Sequence, residues 1–449
     1  MKILLYKSFS FVYRITNWLK WRFTPGGFLV LGGLVTSAVV GLDTNQTLAY
    51  QIFTLLLAVL ILSIAWCLFF RPEFSAHRNL PRFGTAGEPF PYRVVIKNLS
   101  GKTQAGLQVE EQVENPLPAF NEAIKAGKDY DTERNPFDRF VGYIRWRTLA
   151  IRKRVADVRR QSLPPIIPNG EEELRADIVP LRRGSLELKG LIISCPDPFG
   201  LVRSSVNVPV RQSFFVLPKR YDAPPVQLPG TRKFHPGGVA LASSVGDSEE
   251  FMSMRDYRPG DPLRRIHWKS WAKTDKPIVK EYQDEFFIRH ALILDTFQDA
   301  GYGEAFEEAV SVAASFASSI QTQESLLDLM FVGTEAYCFT SGRGISYTDR
   351  MLEILAAVSP CIDKPFSKLP PLVFERAALL SGCICILLSW DEERKIFIRK
   401  LEAMGVPVIV LVVTEYPISL PADMDSDGWQ PGRFINLQPG RIEEGLAQL

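Results

Sequence analysis

Hydrophobicity divides the chain into three patterns. The first is continuous: residues 23–42 (FTPGGFLVLGGLVTSAVVGL) carry no charge, and neither do residues 44–70, which include YQIFTLLLAVLILSIAWCLFF. A membrane-spanning helix needs roughly 20 consecutive apolar residues, so both runs are long enough, and a short DTNQT turn lies at their junction. The pair predicts an N-terminal two-helix transmembrane hairpin over residues 1–72, with a basic arm ahead of it. A signal peptide is the simpler reading of a basic flank followed by an apolar run. This run is too long for one, and a second follows at once.

The second pattern is alternation. PYRVVIKN (91–98) and LQVEEQVEN (107–115) have the period of two expected of half-buried strands. ELRADIVPL, GSLELKGLIIS, GLVRSSVNVPV and QSFFVLP continue it between Gly and Pro punctuation. Short strands at this spacing predict an all-β sandwich over residues 73–218. An insert at about 116–171 interrupts it with a polar loop and then DRFVGYIRWRTLAIRKRVADVRRQ (138–161), which reads as a basic helix. Two readings fit that helix: a solvated cover over one sheet, or a helix resting on anionic headgroups of the nearby membrane.

In the third pattern, strands and helices take turns. HALILD, LLDLMFV, EAYCFTS, CICILLSW and PVIVLVV are nearly continuous apolar strands, separated by amphipathic helices such as EAFEEAVSVAASFASSIQTQ and EERKIFIRKLEAMG. Such strands belong to a parallel sheet covered on both faces. An open, doubly wound α/β domain of roughly Rossmann type is therefore expected over residues 286–449.

Between the sandwich and this domain, residues 219–285 combine a Pro- and Gly-rich connector with a dense segment, GDSEEFMSMRDYRPGDPLRRIHWKSWAKTDKPIVKEYQDE. Arg258-Pro259-Gly260-Asp261 favours a type II turn, with Pro presetting φ and Gly supplying φ > 0. Asp261 before Pro262 suits an N-cap, a helix should run over 263–273, and residues 277–285 read as a strand. The candidate site residues are Arg255, Tyr257, Gly260, Asp261, Arg264, His267, Trp268, Lys269 and Trp271. Either the arginines pair with Asp256 and Asp261 while the tryptophans pack between domains, or Trp and Arg anchor a partner. Catalysis is disfavoured. His267 and Ser270 lie three apart on a helix with no predicted oxyanion donors, and GGVALASSVGD lacks a Walker lysine and the dinucleotide spacing.

Composition and charge narrow the classes. With 46% hydrophobic residues, 23% charged and net charge +2, the chain is neither disordered nor globally attracted to nucleic acid. Lys2, Lys7, Arg14, Lys20 and Arg22 precede the first apolar run and Arg71, Arg78 and Arg82 follow the second, with none in the turn. The positive-inside rule then puts both termini and the soluble body in the cytoplasm, on the inner (plasma) membrane. The six cysteines are scattered, and Cys383-x-Cys385 lacks a second pair. Free thiols in a reducing compartment are expected rather than a zinc site.

SMRDYRPGDPLRRIHWKSWAKTDKPIVKEYQDE closely resembles the signature of the domain-of-unknown-function 58 (DUF58) family of bacterial and archaeal membrane proteins. Residues 180–220, including the DPFGL turn, resemble the segment that precedes it in that family. The resemblance covers nearly the whole chain, with the insert as the least familiar part. It implies a von Willebrand factor A-like C-terminal domain and a non-enzymatic interaction or assembly role in the cell envelope. Its implied protein partners are a MoxR-type AAA+ ATPase and a transglutaminase-like membrane protein, with no catalytic residues and no cofactor. A von Willebrand A domain holds Mg²⁺ with Asp-x-Ser-x-Ser after its first strand, where hydroxyls and carboxylates serve as hard oxygen ligands. Here that place reads Asp295-Thr296-Phe297-Gln298-Asp299, and Asp391 matches the later acidic ligand. Phe297 cannot ligate, so no ordinary metal site is expected; Asp295 and Asp391 are the residues left to hold one. The alternatives are a metal-dependent ligand-binding protein using that degenerate site and, third, an enzyme acting on envelope precursors.

Overall fold

The computed structural model describes residues 2–41, 47–70, 72–114, 116–120, 142–224, 251–261, 263–282, 288–298, 303–319, 325–341, 345–415 and 433–449. The chain falls into two compact units, Met1–Leu217 and Pro218–Leu449.

Three helices open the first unit: α1 (Lys2–Arg22), α2 (Pro25–Val40) and α3 (Thr47–Phe69). α2 starts where it does because Thr24 caps it, accepting from the Gly27 N–H at 3.0 Å, with Pro25 in the first turn. The helix covers 16 residues of the first apolar run, or about 24 Å at 1.5 Å per residue against a hydrocarbon core of about 30 Å. Among the described residues one helical stretch, Leu48–Phe69, is long and apolar enough to cross a membrane. α2 packs beside it.

The joint between α1 and α2 is stitched to the DPFGL turn of the β region. The Asp197 carboxylate accepts from the Leu201 and Val202 N–H groups, both at 2.7 Å, which folds the turn. The Thr24 N–H donates to the Leu201 carbonyl at 3.0 Å, and Arg22 Nη1 to the Arg203 carbonyl at 2.9 Å. A Cβ on Gly27 would lie 2.2 Å from that Leu201 oxygen. Gly27→Ala is therefore expected to displace α2 and destabilise this unit by about 1–3 kcal/mol. A thermal unfolding midpoint equal to wild type would contradict it.

β1 (Phe74–Asn79), β2 (Phe83–Thr85), β3 (Phe90–Asn98) and β4 (Gln108–Gln112) precede α4 (Tyr143–Arg152). After α4 come β5 (Ala156–Val158), β6 (Gln161–Ser162), β7 (Glu171–Pro180), β8 (Gly184–Leu188), β9 (Gly190–Pro196), β10 (Arg203–Val208) and β11 (Gln212–Leu217). They form three sheets, β1-β3-β7-β5, β10-β9-β4-β6 and β2-β11-β8. The period-two residues of all three, among them Tyr92, Val94, Val109, Leu188, Ile193 and Val216, meet in one core. The middle of the chain is thus β-rich as expected. GSLELKGLIIS, however, is two strands in different sheets, β8 and β9.

The basic helix is shorter than its sequence pattern implied, and what it covers differs. α4 ends at Arg152, and the chain then enters β5 and β6, where Arg160 pairs with Glu110 at 2.7 Å. Residues 138–141 of the expected helix lie outside the described residues. Its buried Trp146 packs on Phe9 of α1, ring centroids 5.5 Å apart.

The second unit begins by anchoring Tyr221, whose N–H donates to Ser315 Oγ at 2.8 Å and whose hydroxyl donates to Glu308 at 2.6 Å. A hairpin of β12 (Phe251–Asp256) and β13 (Ile278–Tyr282) follows, enclosing α5 (Trp268–Thr274). Next come β14 (Ile288–Leu294), α6 (Glu304–Ser319), β15 (Ser325–Val332), β16 (Ala336–Ser341), α7 (Ile345–Ala357) and α8 (Leu369–Ala377). β17 (Gly382–Leu387), α9 (Glu392–Ala403), β18 (Val408–Val413), β19 (Phe434–Leu437) and α10 (Ile442–Leu446) complete the unit.

The sheet order is β16-β15-β14-β17-β18-β19, parallel except for the antiparallel edge strand β16. It is a mixed rather than an all-parallel sheet. Ala291 and Ile293 of β14 face a core with Val373 of α8 and Phe397 of α9, while α6 lies against β14, β17 and β18. β14 and β17 are central neighbours whose connections leave toward opposite edges. Their carboxyl ends therefore form the crevice where ligands of open α/β sheets bind.

Candidate functional site

The hairpin of β12 and β13 carries the residues singled out in the sequence. The Asp261 N–H closes the turn onto the Arg258 carbonyl at 3.0 Å, and Gly260 has φ +108°. The turn is therefore the expected type II, which needs glycine at its third position. Asp261 does not cap a helix. Its carboxylate takes both Arg255 Nη1 and Nη2 at 2.8 Å, and the Arg258 N–H at 2.8 Å. This bidentate pair, a strong charge-assisted geometry, ties strand β12 to the turn.

The helix expected over 263–273 is broken. Leu263–Arg265 make one turn of 3₁₀ helix, and α5 begins only at Trp268. In between, buried Ile266 bridges Val279 and the His267 N–H donates to the Ile278 carbonyl at 2.8 Å. Pairing with β13 outcompetes helix continuation there. The result sets α5 upon the hairpin, with Trp268 on its exposed side. Trp268 and Trp271 stack at 5.2 Å with planes 16° apart, and Trp268 is 63% exposed. Trp271 is half-buried, and the pair stacks beside exposed Lys269 and Lys273. Met254 and Leu263, which sequence reasoning did not single out, are exposed on the same hairpin. Tyr257 is half-buried, its N–H bonded to the Pro277 carbonyl at 2.9 Å, while Arg264 sits exposed in the 3₁₀ turn.

Hydrogen bonding from Arg255, and then from the Arg258 backbone, holds the Asp261 carboxyl at about 2. A carboxyl depressed in the folded state stabilises above its unfolded value, about 3.9, and that contribution vanishes as pH falls through the folded value. The exciton signal of the stacked tryptophans is therefore expected to hold down to about pH 4 and to fade toward pH 2. In Asp261→Asn it should already be weakened at neutral pH. A signal unaffected by the substitution would contradict the bracing role.

His267 Nδ1 lies 2.6 Å from Ser270 Oγ. The contact is local, one helical turn, and Asp261 is committed to Arg255 and Arg258, so it does not stand behind the imidazole as a triad carboxylate.

Asp295 and Asp391 do meet, but around an arginine. Asp295 lies fully buried at the carboxyl end of β14, accepting from the Phe297 N–H at 3.0 Å, the Leu388 N–H at 3.1 Å and Arg394 Nε at 2.7 Å. Asp391 caps α9 by accepting from the Arg394 N–H at 3.0 Å, and its carboxylate also takes Arg394 Nη1. Burial pushes the Asp391 carboxyl up, but the hydrogen bonds and charge of Arg394 outweigh it and hold the group below its ordinary value. The guanidinium lies 4.4 Å above the Phe366 ring. Thr296 Oγ1 is turned away onto the Val332 carbonyl, and Asp299 lies outside the described residues. These residues do not fit a divalent metal: Arg394 supplies the positive charge, and Phe297 offers no donor. Arg394 escaped sequence reasoning, its only signal being an acid three residues earlier.

A separate cavity of about 570 Å³ opens at the end of β15 and β16, lined by Phe331, Tyr337, Phe339, Ile354, Cys361 and Ile362 among others. Its walls are mainly apolar, and Lys364 at its rim donates to the Thr334 carbonyl.

Residues 253–373 match the family model described as Protein of unknown function DUF58. The "Uncharacterized protein YeaD" of Bacillus subtilis (strain 168) is 26% identical over 188 residues, which are 41% of this chain and 46% of that protein. The chain thus spans about half the length of the curated relative it matches. Among solved structures, the CARDB domain of PF1109 from Pyrococcus furiosus is similar at 13% identity, covering 31% of this chain and 94% of that one, with TM-score 0.15. A β-glucosidase from Listeria innocua follows at 10% identity, covering 32% and 16%, with TM-score 0.16. Scores this low say nothing about fold. The matched segment holds most of the hairpin, the stacked indoles and Asp295, and over residues 253–373 the chain is similar to the DUF58 family of unknown function.

Proposed function

We propose that the chain is a non-enzymatic, membrane-anchored interaction protein of the bacterial cell envelope, whose docking surface is the Trp268–Trp271 platform. The observation that carries this reading is a stacked indole pair with Trp268 in solvent, on a hairpin whose turn is held by the Arg255–Asp261 pair. Tryptophan and arginine anchors dominate the energy of protein interfaces, and a rigid platform loses little entropy on binding. Exposed Lys269 and Lys273 favour a partner with an acidic rim around an apolar socket. A MoxR-type AAA+ ATPase is the partner proposed, with a transglutaminase-like membrane protein in the same assembly.

The finer architecture belongs to the same reading. The three β sheets are read as a sandwich with one layer split, because they share one core. The C-terminal unit is read as a von Willebrand A-like domain in which Arg394 stands where the ion would. Apolar α3, with α2 beside it, anchors the chain, and the basic residues ahead of α2 favour a cytoplasmic orientation. Co-expression with the source organism's MoxR-type ATPase, followed by purification in detergent, should recover both proteins together. A chain that purifies alone and turns over an envelope precursor would contradict the proposal.

A further inference from the structure

Helix α1 carries more apolar surface than its contacts use. Phe9 is 2% exposed, ringed by Trp146 at 5.5 Å and Tyr143 at 5.0 Å, so one face of α1 is already covered by α4. A different stripe remains in solvent: Leu4 is 74% exposed, Phe11 65%, Ile15 40% and Trp18 56%. Their spacing of seven, four and three residues puts them on one helical face. Exposed Lys7 and Arg14 run alongside, each three residues from the stripe, and α1 contains no acidic residue.

We infer that α1 is a membrane-surface helix whose Leu4/Phe11/Ile15/Trp18 stripe seats in the headgroup–acyl boundary of an anionic bilayer. The inference rests on the membrane-anchored reading given above and goes beyond it, since an anchor needs only α3. Two observations choose lipid over a protein partner as the occupant. The first is continuity: only Phe23 and Thr24 separate α1 from apolar α2, and Arg22 and Thr24 pin that joint to the turn at Gly200–Arg203. A helix leaving a joint at the bilayer surface with a bare apolar stripe is covered by running along that surface. The second is charge: Trp, Phe and Leu on one face with Lys and Arg at its edge is the pattern of helices that lie in the interface plane and prefer anionic lipid. α4, packed on the other side, adds Arg145, Arg147 and Arg152 and no acid.

The full chain reconstituted in phosphatidylcholine–phosphatidylglycerol vesicles tests this. The fluorescence of Trp18 is isolated as wild type minus Trp18→Phe, and that of Trp66 in α3 as wild type minus Trp66→Phe. With acyl-chain-brominated lipid, the Trp18 component is expected to fall by about half or more while aqueous iodide leaves it nearly unchanged. In Lys7→Gln/Arg14→Gln, iodide should reach Trp18 while Trp66 stays lipid-quenched. If iodide quenches Trp18 in the wild type and bromine does not, with Trp66 still quenched by lipid, the inference fails and the anchor stands. If lipid quenches neither tryptophan, the membrane reading fails and takes the inference with it.

Discussion

Arg394→Ala is expected to destabilise the C-terminal unit by about 3–5 kcal/mol, the usual consequence of removing one partner of a buried ion pair. Asp295 is fully buried and Arg394 nearly so, and Arg394 Nε meets Asp295 at 2.7 Å. Without the guanidinium, Asp295 keeps two backbone N–H donors but no opposite charge. The α9 cap through Asp391 would also lose its second contact, and Phe366 the cation above its ring. Arg394→Ala/Asp295→Asn should recover part of the loss, because the amide carries no buried charge and its oxygen can still accept from one of the two N–H groups. Denaturant unfolding of the wild type and the two variants measures this. Millimolar Mg²⁺ is expected to leave the wild-type transition unmoved, since the guanidinium already occupies the place between the carboxylates. A stabilisation of several degrees by Mg²⁺ would mean that an ion displaces it.

Arg78→Ala should cost the first unit a similar amount, about 3–5 kcal/mol. The Arg78 side chain is fully buried in β1, and its Nε and Nη2 meet both oxygens of Glu111 in β4, at 2.9 and 2.7 Å. Nη1 donates to the Val210 carbonyl at 2.6 Å, just before β11, and the Tyr92 hydroxyl of β3 donates to Glu111 at 2.6 Å. One guanidinium thus joins two sheets and the loop that leads into the third. Burial raises the Glu111 carboxyl even with Arg78 present, and without Arg78 it should rise further. An acid raised in the folded state is tolerated below its unfolded value, about 4.3, and opposes folding as pH climbs through the folded one. The deficit of Arg78→Ala should accordingly be smallest near pH 4 and grow toward pH 8. Arg78→Met/Glu111→Leu should regain much of the stability, as apolar replacements of buried pairs commonly do. A pH-independent deficit would contradict the pair's role.

Periodicity made most of the architecture legible. The apolar strands HALILD, CICILLSW and PVIVLVV appear at β14, β17 and β18, because burial on both faces demands runs that only a covered sheet can house. What stayed hidden depended on partners distant in sequence. Period two cannot tell which strand pairs with which, so the sharing of β8 and β9 between two sheets was invisible. The helix expected over 263–273 breaks at Ile266–His267 because β13, beyond the turn, takes their backbone groups. Thr24 reads as one polar residue in an apolar run until the DPFGL turn is seen to hold it. At the candidate site, residue types were legible and roles were not. Asp261 reads as a helix cap and is an arginine clamp, and residue type alone could not choose between tryptophans packed between domains and tryptophans anchoring a partner.

The central claim is that the indole pair is a docking platform, and one affinity comparison tests it most directly. The full chain, held in nanodiscs, is titrated with the source organism's MoxR-type ATPase, as wild type and as Trp268→Ala/Trp271→Ala. Trp268 is exposed and Trp271 half-buried, outside the unit's core, so the double variant should unfold close to the wild-type midpoint. Its affinity should nevertheless fall by about thirtyfold or more, the loss of a hot spot worth about 2 kcal/mol. Equal affinities for the two proteins, with both folded, would contradict it.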